Sequence, residues 1–578
     1  MLRRNLMSSA PLSMAILVLG ASACGEKPAA TVAAAPPQNC DADNGGITLP
    51  AGFCATVFAD NIGHARHLVV APNGVVYANT WSGEYYGKND PPREGGFLVA
   101  MQDTSGDGHA DVVTRFGGGV AEGSHGGTGI GIYQDHLYYE INDKLVRFPL
   151  APSGVDTSAA AEVIVSALPI DGDHPMHPFI IDAQGNLFTD LGSATNACEQ
   201  KYRAPLSKGN VPCTEKLTRG GIWKYDAKVA GQKFSPAERY ATGIRNGEGF
   251  AIDGAGRLYV SQHGRDQLSE NYKNVYSPTA GVELPAEEVM ELREGADYGW
   301  PECYYDGQQG KLVLAPEYGG DGGTKVGVCA ERTPPAAAFP AHWAPNALLI
   351  LKGKGFPAAY APGMFIAFHG SWNRAPAPQA GYNVTFQPMA DGKAAGQYIV
   401  FADGFAGAVK EPGKAAFRPS GLAEGPDGAV YISDDVHGRI WRVTYNGSPD
   451  AAIAAAPAPV VAAPSAPAAG PSLPLAPGAT AAQLALGDSI FHGQVANGTC
   501  VGCHGSDGKG SAVGADLTAG TWIWSDGSLE GLKKTITAGV PKPKSHGGAM
   551  PPMGGASLSG EQVQAVAVYV WGLGHGKR

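Results

Sequence analysis

A pattern of polar and apolar positions recurs along the first 450 residues. A turn rich in Gly, Asn or Asp is followed by a run of β-branched and aromatic residues. Such runs, bounded by turn residues, are typical of antiparallel strands. The pattern is clear at four places and weaker at two more: 71–77, 182–188, 253–259, 425–431, 134–138 and 363–366. Six turn-and-strand units predict an all-β six-bladed β-propeller, in which radial repetition protects the sheet edges. A pair of β-sandwiches with similar turns is the alternative.

The pattern changes after residue 448. Residues 449–480 are almost wholly Ala, Pro, Ser, Gly and Val, a composition typical of an extended linker. Further on, Ser559 and Gln562 form a capping box. An apolar stripe with helical spacing follows at Val563, Val566, Ala567 and Val570. This stripe is expected to pack on a first helix at about 482–494. The sequence thus predicts a propeller at 40–448 and a small all-α domain at 481–578.

The amino terminus predicts export. Arg3 and Arg4 precede a short apolar run and small residues that end at Cys24, as in a secretory signal. The run is far shorter than the ~20 residues that span a bilayer. We expect a signal peptide at 1–23 and an Ala/Pro-rich tether at 24–39. The signal places the protein in the periplasm. The segment before Cys24 resembles a bacterial lipobox, which implies a lipid anchor at Cys24; simple cleavage after Ala23 is the alternative.

The length, charge and cysteine content of the chain indicate its domain number, its partners and its disulfides. A chain of 578 residues predicts at least two domains. Its net charge of −11 argues against nucleic acid as a partner, since phosphate binding needs a basic face. Nine cysteines are present. Without Cys24 and a motif pair near the end, six remain in sequence-near couples, which in an oxidising compartment predict three disulfides: Cys40/Cys54, Cys198/Cys213 and Cys303/Cys329.

The motif pair is Cys500-Val-Gly-Cys503-His504. This spacing is typical of covalent haem c attachment. The two thiols would bond the haem vinyl groups, and His504 would be the proximal iron ligand. A redox dithiol or half of a zinc site is the alternative. Residues 550–554 resemble the Met-Pro-x-x-Gly stretch of small cytochromes c, which implies Met550 as the sixth ligand and Met553 as a packing residue. His546 is a second candidate ligand.

Loop residues of the large domain indicate its chemistry. Asp173 and His174 precede a predicted strand. A carboxylate beside a histidine can orient the ring as a general base, which alcohol oxidation by hydride removal requires. Arg245, Arg374 and Arg418 lie at strand edges. Arginines that converge on one channel suit a polyanionic planar cofactor, although each alone is more typical of a solvated surface.

These motifs, in this order, resemble the glucose/sorbosone dehydrogenase family. The most distinctive segments are Tyr-Gly-Trp-Pro at 298–301 and Gly-Ser-Trp-Asn-Arg at 370–374. Members are six-bladed propellers that use pyrroloquinoline quinone (PQQ) and calcium. The resemblance covers nearly all of 45–445.

The resemblance implies roles for individual residues. His174 would take the hydroxyl proton, and Arg245 would contact the substrate and the reduced quinone. Arg374, Arg418 and Asn196 would bind PQQ, and Trp343 is a candidate stacking ring. Calcium would lie on the successive backbone carbonyls of Gly264 and Arg265. The chain departs from the soluble glucose enzymes at Ser420, where they have an arginine, and either Ser124 or His125 replaces an early Gln contact.

A second calcium loop is suggested at residues 103–111. Oxygen-bearing side chains alternate around a Gly turn, but the terminal Glu of an EF-hand is missing. The candidate ligands are Asp103, Ser105, Asp107 and Asp111. A plain hydrogen-bonded turn is the alternative.

The sequence therefore predicts an exported quinohaemoprotein. It would oxidise a sugar, or a related alcohol or aldehyde, at PQQ. Electrons would pass to the covalent haem and on to a periplasmic or membrane acceptor. A sugar lactonase or other propeller hydrolase is one alternative, and a non-catalytic electron-transfer or sensing propeller is another.

Overall fold

The computed structural model describes twelve stretches of the chain: residues 40–81, 93–118, 127–155, 160–353, 355–375, 377–457, 473–492, 500–505, 507–510, 514–545, 549–556 and 558–576. The expected signal peptide and tether, with Cys24, lie outside the described residues. So do Ser124, His125 and His546.

The large domain consists of six main sheets, built almost entirely from antiparallel pairs, and a separate two-stranded hairpin. Strand β1 (Phe53–Ala59) comes first. Blade 1 is β2 (His64–Val70), β3 (Val76–Trp81), β4 (Leu98–Gln102) and β5 (Val112–Phe116). Blade 2 is β6 (Ile130–Tyr133), β7 (His136–Ile141), β8 (Lys144–Pro149) and β9 (Glu162–Ser166). Blade 3 is β10 (Phe179–Ile181), β11 (Asn186–Leu191), β12 (Gly221–Asp226) and, after a short β13 (Gln232–Lys233) that pairs with β9, β14 (Arg239–Thr242).

The remaining blades follow the same plan. Blade 4 is β15 (Gly247–Ile252), β16 (Leu258–Gln262), β17 (Glu287–Glu291) and, after the hairpin β18 (Cys303–Asp306) and β19 (Lys311–Leu314), β20 (Ala337–Phe339). Blade 5 is β21 (Pro345–Leu349), β22 (Gly363–Phe368), β23 (Asn383–Ala390), β24 (Lys393–Ala394) and β25 (Ile399–Ala402). Blade 6 is β26 (Pro419–Glu424), β27 (Val430–Asp434) and β28 (Ile440–Tyr445), and β1 completes it by pairing with β28.

The six-bladed propeller prediction is confirmed, and the repeated pattern has a structural cause. Five of the six segments contain the turn that leads into the second strand of a blade, and the sixth, 363–366, is the start of the second strand of blade 5. At Asp182, Asp253 and Asp427 the side-chain carboxylate accepts hydrogen bonds from backbone N–H groups two to four residues ahead. These side chains mimic a backbone turn. The first strands of neighbouring blades contact one another around the ring, so their ends surround a central channel.

All three predicted disulfides are present: Cys40–Cys54, Cys198–Cys213 and Cys303–Cys329. Cys198–Cys213 closes a loop between β11 and β12. Two short helices, α1 (Leu268–Asn271) and α2 (Pro278–Glu283), follow β16. These insertions lie at the end of the channel where the candidate site is found.

The carboxy-terminal domain is α-helical, as expected. Its helices are α3 (Ala481–Phe491), α4 (Cys500–His504), α5 (Leu529–Ala538) and α6 (Gly560–His575). The capping box at Ser559 and Gln562 is present, and α3 packs against α6. Among the described residues, no helix is both long and apolar enough to cross a membrane.

The described ends of the predicted linker are not free. Ala456 donates its backbone N–H to Val400 of the propeller, and the Tyr360 hydroxyl donates to Ala454. At the other end, Leu473 packs with the core of the helical domain. The composition of 449–480 predicted an extended chain, but residues at both its ends are anchored by the domains they join.

The α3–α6 contact depends on a glycine. A Cβ built on Gly487 would lie 2.1 Å from the carbonyl oxygen of Ala565, so the helices approach too closely for any side chain. We predict that Gly487→Ala destabilises the helical domain by about 1–3 kcal/mol through overpacking. Faster amide hydrogen exchange in α6 would report the change. The matched control is Gly560→Ala, since a Cβ there meets nothing within 4 Å; equal exchange rates in the two variants would contradict the prediction.

Candidate active site

A cavity of about 310 Å³ lies at one end of the propeller channel, and both domains line it. The propeller contributes charged and aromatic side chains from several blades. The helical domain contributes the Cys-x-x-Cys-His segment and the loop with the two candidate methionines. The lining includes Arg66, His174, Arg203, Arg245, His263, Asp266, Cys500, Cys503, His504, Met550 and Met553.

The His174 ring lies in this cavity with a fixed tautomer. Its Nδ1 is 2.7 Å from the Ser193 carbonyl oxygen. Because a carbonyl oxygen only accepts hydrogen bonds, Nδ1 carries the proton and Nε2 keeps its lone pair. Burial, followed by the charge of Arg245, lowers the pKa of His174 to about 3. The ring is therefore neutral at ordinary pH, and Nε2 can accept a proton.

Asp173 does not orient that ring, contrary to the expectation from its sequence position. The Tyr202 hydroxyl donates to one carboxylate oxygen at 2.6 Å, and Arg203 donates to the other at 3.0 Å. Burial alone would raise the pKa of Asp173, but the Arg203 charge and the Tyr202 hydrogen bond hold it below the ordinary value. Neighbouring residues on an extended loop point in different directions, and the His174 imidazole binds the backbone carbonyl of Ser193 instead of Asp173.

Arg245 is buried at the cavity wall and fully engaged. It donates to the Asn196 backbone and side-chain oxygens at 3.2 and 3.0 Å, to the Gly264 carbonyl at 3.0 Å and to Asp266 at 2.9 Å. Asn196 in turn accepts from the backbone N–H of Asp266 and donates to its carbonyl. Asn196 thus supports Arg245 and lies behind the cavity wall. A guanidinium held by four bonds is preorganised to face a ligand.

Three residues expected at a cofactor lie elsewhere. Arg374 donates to the backbone carbonyls of Val282 and Ala341 at 3.0 and 2.9 Å. Arg418 donates to the carbonyls of His369 and Gly370. The Trp343 ring packs at 5.3 Å from Phe368 inside a blade. These side chains brace the loops around the channel, because the unpaired carbonyls of those loops are their nearest acceptors.

The cavity presents other groups that the sequence did not single out. Arg66 lies on β2, where it pairs with Asp435 at 2.8 Å and Glu248 at 3.5 Å. Trp372 and Asn373 also face the cavity. Both belong to the Gly-Ser-Trp-Asn-Arg segment, so the motif was informative although its arginine turns away. Nothing in the local sequence marked Arg66.

Four lining side chains have buried polar atoms without a hydrogen-bond partner within the described part of the chain: Glu248 Oε1 and Oε2, His263 Nε2, Asn346 Oδ1 and Asn373 Oδ1. The Asn246 amide nitrogen lies 3.4 Å from His263 Nδ1, which places the ring proton on Nε2. The cavity therefore offers one unused donor and several unused acceptors. Buried polar atoms in a native protein nearly always have partners, so a polar ligand here would satisfy them.

Oxygens of both predicted calcium sites accept hydrogen bonds within the described part of the chain. The Gly264 carbonyl already accepts from the cationic Arg245. In the loop at 103–111, Asp111 accepts from the backbone of Thr104 and Ser105, and Asp103 accepts from Gly106 and Gly108. The carboxylates are used to close the turn, which is the alternative named above. Across the described stretches, no group of three or more His, Cys, Asp or Glu is arranged to hold a metal ion.

The Cys500–His504 helix suits haem attachment. Both cysteines are free thiols, and burial raises their pKa values to about 12 and 11. His504 Nδ1 is 2.8 Å from the Ala515 carbonyl oxygen. This bond fixes the tautomer with the Nε2 lone pair available to iron, the usual support of a ligating histidine. Met550 and Met553 line the same cavity, so the described candidates for the second axial ligand are on the expected side.

Comparison with known proteins agrees with this architecture. A family model described as TrAA12-like matches residues 124–446. A model described as cytochrome c oxidase, cbb3-type, subunit III, matches residues 487–570. A PQQ-dependent pyranose dehydrogenase of Coprinopsis cinerea is 26% identical over 244 residues, 36% of this chain and 31% of the relative. The cbb3-type cytochrome c oxidase subunit CcoP of Rubrivivax gelatinosus is 38% identical over 90 residues, 16% of this chain and 26% of the relative.

Solved structures share the propeller fold. The holo PQQ domain of the Coprinopsis cinerea pyranose dehydrogenase superposes with a TM-score of 0.53 at 18% identity, covering 69% of this chain and 97% of that one. A calcium structure of Trichoderma reesei family AA12 gives 0.54 at 16% identity, covering 69% and 97%. The chain spans half or less of the length of the curated relatives that it matches.

The propeller is similar to PQQ-dependent sugar dehydrogenases, and it is joined to a domain similar to cytochrome c. The TrAA12-like model covers more than half of the sequence. The chain belongs to the TrAA12-like family, and its carboxy-terminal domain matches the model of cbb3-type cytochrome c oxidase subunit III. The family resemblance drawn from the motifs is confirmed.

Proposed function

We propose that this protein is an exported quinohaemoprotein that oxidises a sugar, or a related alcohol or aldehyde, and passes the electrons to its own haem c. One observation carries the proposal: the His174–Arg245 site and the Cys500–His504 segment open onto the same cavity. A dehydrogenase site and an electron carrier that share one cavity need no diffusing mediator between them.

The propeller side of the cavity offers PQQ cationic and hydrogen-bonding groups. Arg66, Arg203 and Arg245 line it, each paired with a carboxylate of the chain, and guanidinium groups are the side chains best suited to bind a polycarboxylate. His263 Nε2 and Asn373 Oδ1 would find partners on the polar rim of the cofactor, and the Trp372 ring lies at the same wall. When bound, PQQ supplies a quinone that takes up the equivalent of a hydride from an alcohol carbon.

The chain's own residues would then handle the proton and the orientation of the substrate. His174 Nε2 is the unprotonated nitrogen, so it can accept the hydroxyl proton while Nδ1 stays bonded to Ser193. Arg245 stays in place through Asn196 and Asp266. Asp173 would stabilise the imidazolium that forms, since its negative charge already raises the pKa of His174 against the larger effect of burial.

The helical side would hold the haem. Cys500 and Cys503 would form the thioether bonds, His504 would bind iron through Nε2, and Met550 would be the second axial ligand, with Met553 packing nearby. Electrons would leave for a periplasmic or membrane acceptor. The signal at 1–23 and lipidation at Cys24 belong to the same proposal.

Calcium enters the proposal without a mechanistic role. On the predicted oxygen of Gly264 the ion would meet Arg245, whose guanidinium donates to that oxygen at 3.0 Å, and two cations on one carbonyl repel each other.

Reconstitution tests the proposal directly. PQQ is added in increments to protein that holds haem but no quinone, and the ferrous haem absorption is followed after addition of each aldose from a panel. We expect reduction of the haem that requires both PQQ and sugar and saturates at one PQQ per chain. Sugar-independent reduction, or turnover of a sugar lactone without haem reduction, would instead favour the sensing or hydrolase alternatives.

A further inference from the structure

We propose that Arg203 is a positioning residue that links the oxidation site to the cytochrome c domain and, by its charge, favours the reduced haem. This inference rests on the proposed function. It concerns a residue of the disulfide-closed loop, outside the blades, that no motif identified.

The loop delivers Arg203 rigidly. The Cys198–Cys213 disulfide closes it. Glu199, itself buried, accepts a hydrogen bond from the Arg203 backbone at 2.8 Å. Further along, Leu206 donates its backbone N–H to Asn271 of α1, and Gly209 donates to Glu317. The side chain of Arg203 is only 10% exposed. An arginine held in this way loses little conformational entropy when it binds a neighbour.

The guanidinium joins three parts of the site. It donates to Asp173 at 3.0 Å, which precedes the base His174, and to Asp266 at 3.1 Å, which also binds Arg245. It donates to the Gln267 side-chain oxygen at 3.2 Å. Gln267 reaches the other domain, since a Cβ built on Gly555 would lie 2.7 Å from its amide nitrogen. One side chain therefore bridges the proton-accepting loop and the domain contact.

Arg203 and Asp266 also face the haem segment. Both line the cavity with Cys500 and Cys503. The two charged side chains and the two cysteines therefore face one cavity, so both charges lie beside the position where the haem would be attached. Charges in a buried site are weakly screened.

The electrostatic consequence follows from sign alone. Reduction adds one negative charge to the haem site, so a buried cation stabilises the ferrous form and a buried anion opposes it. Loss of Arg203 should lower the haem potential, and loss of the Asp266 charge should raise it. General damage to the haem pocket would not give opposite shifts from two residues that bond each other.

The test is a redox titration of the haem in the full-length protein, with chemical mediators and without PQQ or sugar. We expect Arg203→Gln to lower, and Asp266→Asn to raise, the ratio of ferrous to ferric haem about threefold to tenfold at fixed ambient potential, where tenfold corresponds to 59 mV. Arg203→Lys keeps the charge and should stay near wild type. Arg293→Gln removes an arginine whose side chain is 63% exposed and is the matched control.

A second measurement separates positioning from charge. In the PQQ-loaded protein we expect Arg203→Lys to slow haem reduction by sugar several-fold, since an ammonium cannot bond Asp173, Asp266 and Gln267 together. Shifts of equal sign in Arg203→Gln and Asp266→Asn, or no shift in either, would overturn the inference. Because the titration uses neither quinone nor sugar, it can fail while the reconstitution succeeds, or succeed while the reconstitution fails.

Discussion

Replacement of His174 by alanine should reduce sugar oxidation by about 10²- to 10⁴-fold, the usual contribution of a positioned general base. In this structure only the unprotonated Nε2 of that ring is prepared to take the substrate proton, because Nδ1 is committed to the Ser193 carbonyl. Stopped-flow reduction of the haem by sugar, with PQQ saturating, measures the loss. Chemical reduction of the haem should remain normal in the same variant.

The control for this experiment is His136→Ala. His136 lies on β7, where its ring pairs with the exposed Asp135 away from the cavity, and its loss should leave the rate within about twofold. Thermal unfolding of both variants checks that the propeller is intact. A His174→Ala protein that folds normally and retains wild-type turnover would remove the imidazole from the proposed chemistry.

The double substitution Cys500→Ser, Cys503→Ser should abolish covalent haem attachment. Each thiol forms one thioether bond in the proposed site, and serine cannot replace it. After acid–acetone extraction, we expect no haem to remain with the polypeptide in a pyridine haemochrome assay. Sugar oxidation with a small artificial acceptor should persist, because His174 and Arg245 lie in the other domain.

Met553→Leu is the matched control for the attachment experiment. Met553 lines the same cavity, but its side chain takes no part in the thioether bonds, so this variant should keep its haem through extraction. If the double serine variant also keeps covalent haem, the Cys-x-x-Cys-His segment is not the attachment site, and the alternatives of a redox dithiol or half zinc site return.

The architecture was predictable because it rests on local chemistry that repeats. The Asp, Asn and Gly turns at 182–188, 253–259 and 425–431 are fixed by hydrogen bonds within a few residues. Each turn leads into the second strand of a blade. The capping box at Ser559 has the same local character. Such features depend little on the rest of the chain, so sequence alone identifies them.

Side-chain direction was much less predictable. Arg245 and Arg374 occupy similar places at strand edges, yet one faces the cavity and the other binds two carbonyls behind it. The deciding factor is which loop packs alongside, a property of distant segments. Arg203 faces the cavity, yet no neighbour in sequence indicates it. Its position depends on a loop that is held by α1 and by Glu317.

The pairing of β1 with β28 has a consequence for how the ring is assembled. Strand β1 is synthesised first, but its partner β28 is the last strand of the propeller. The ring of blades therefore stays open through most of translation. Until then blade 6 lacks its outer strand, and the cytochrome domain is synthesised only after β28 and the linker. Substitutions that weaken β1 should therefore slow the folding of the whole propeller. Once the ring has closed, the same substitutions should change its redox chemistry little.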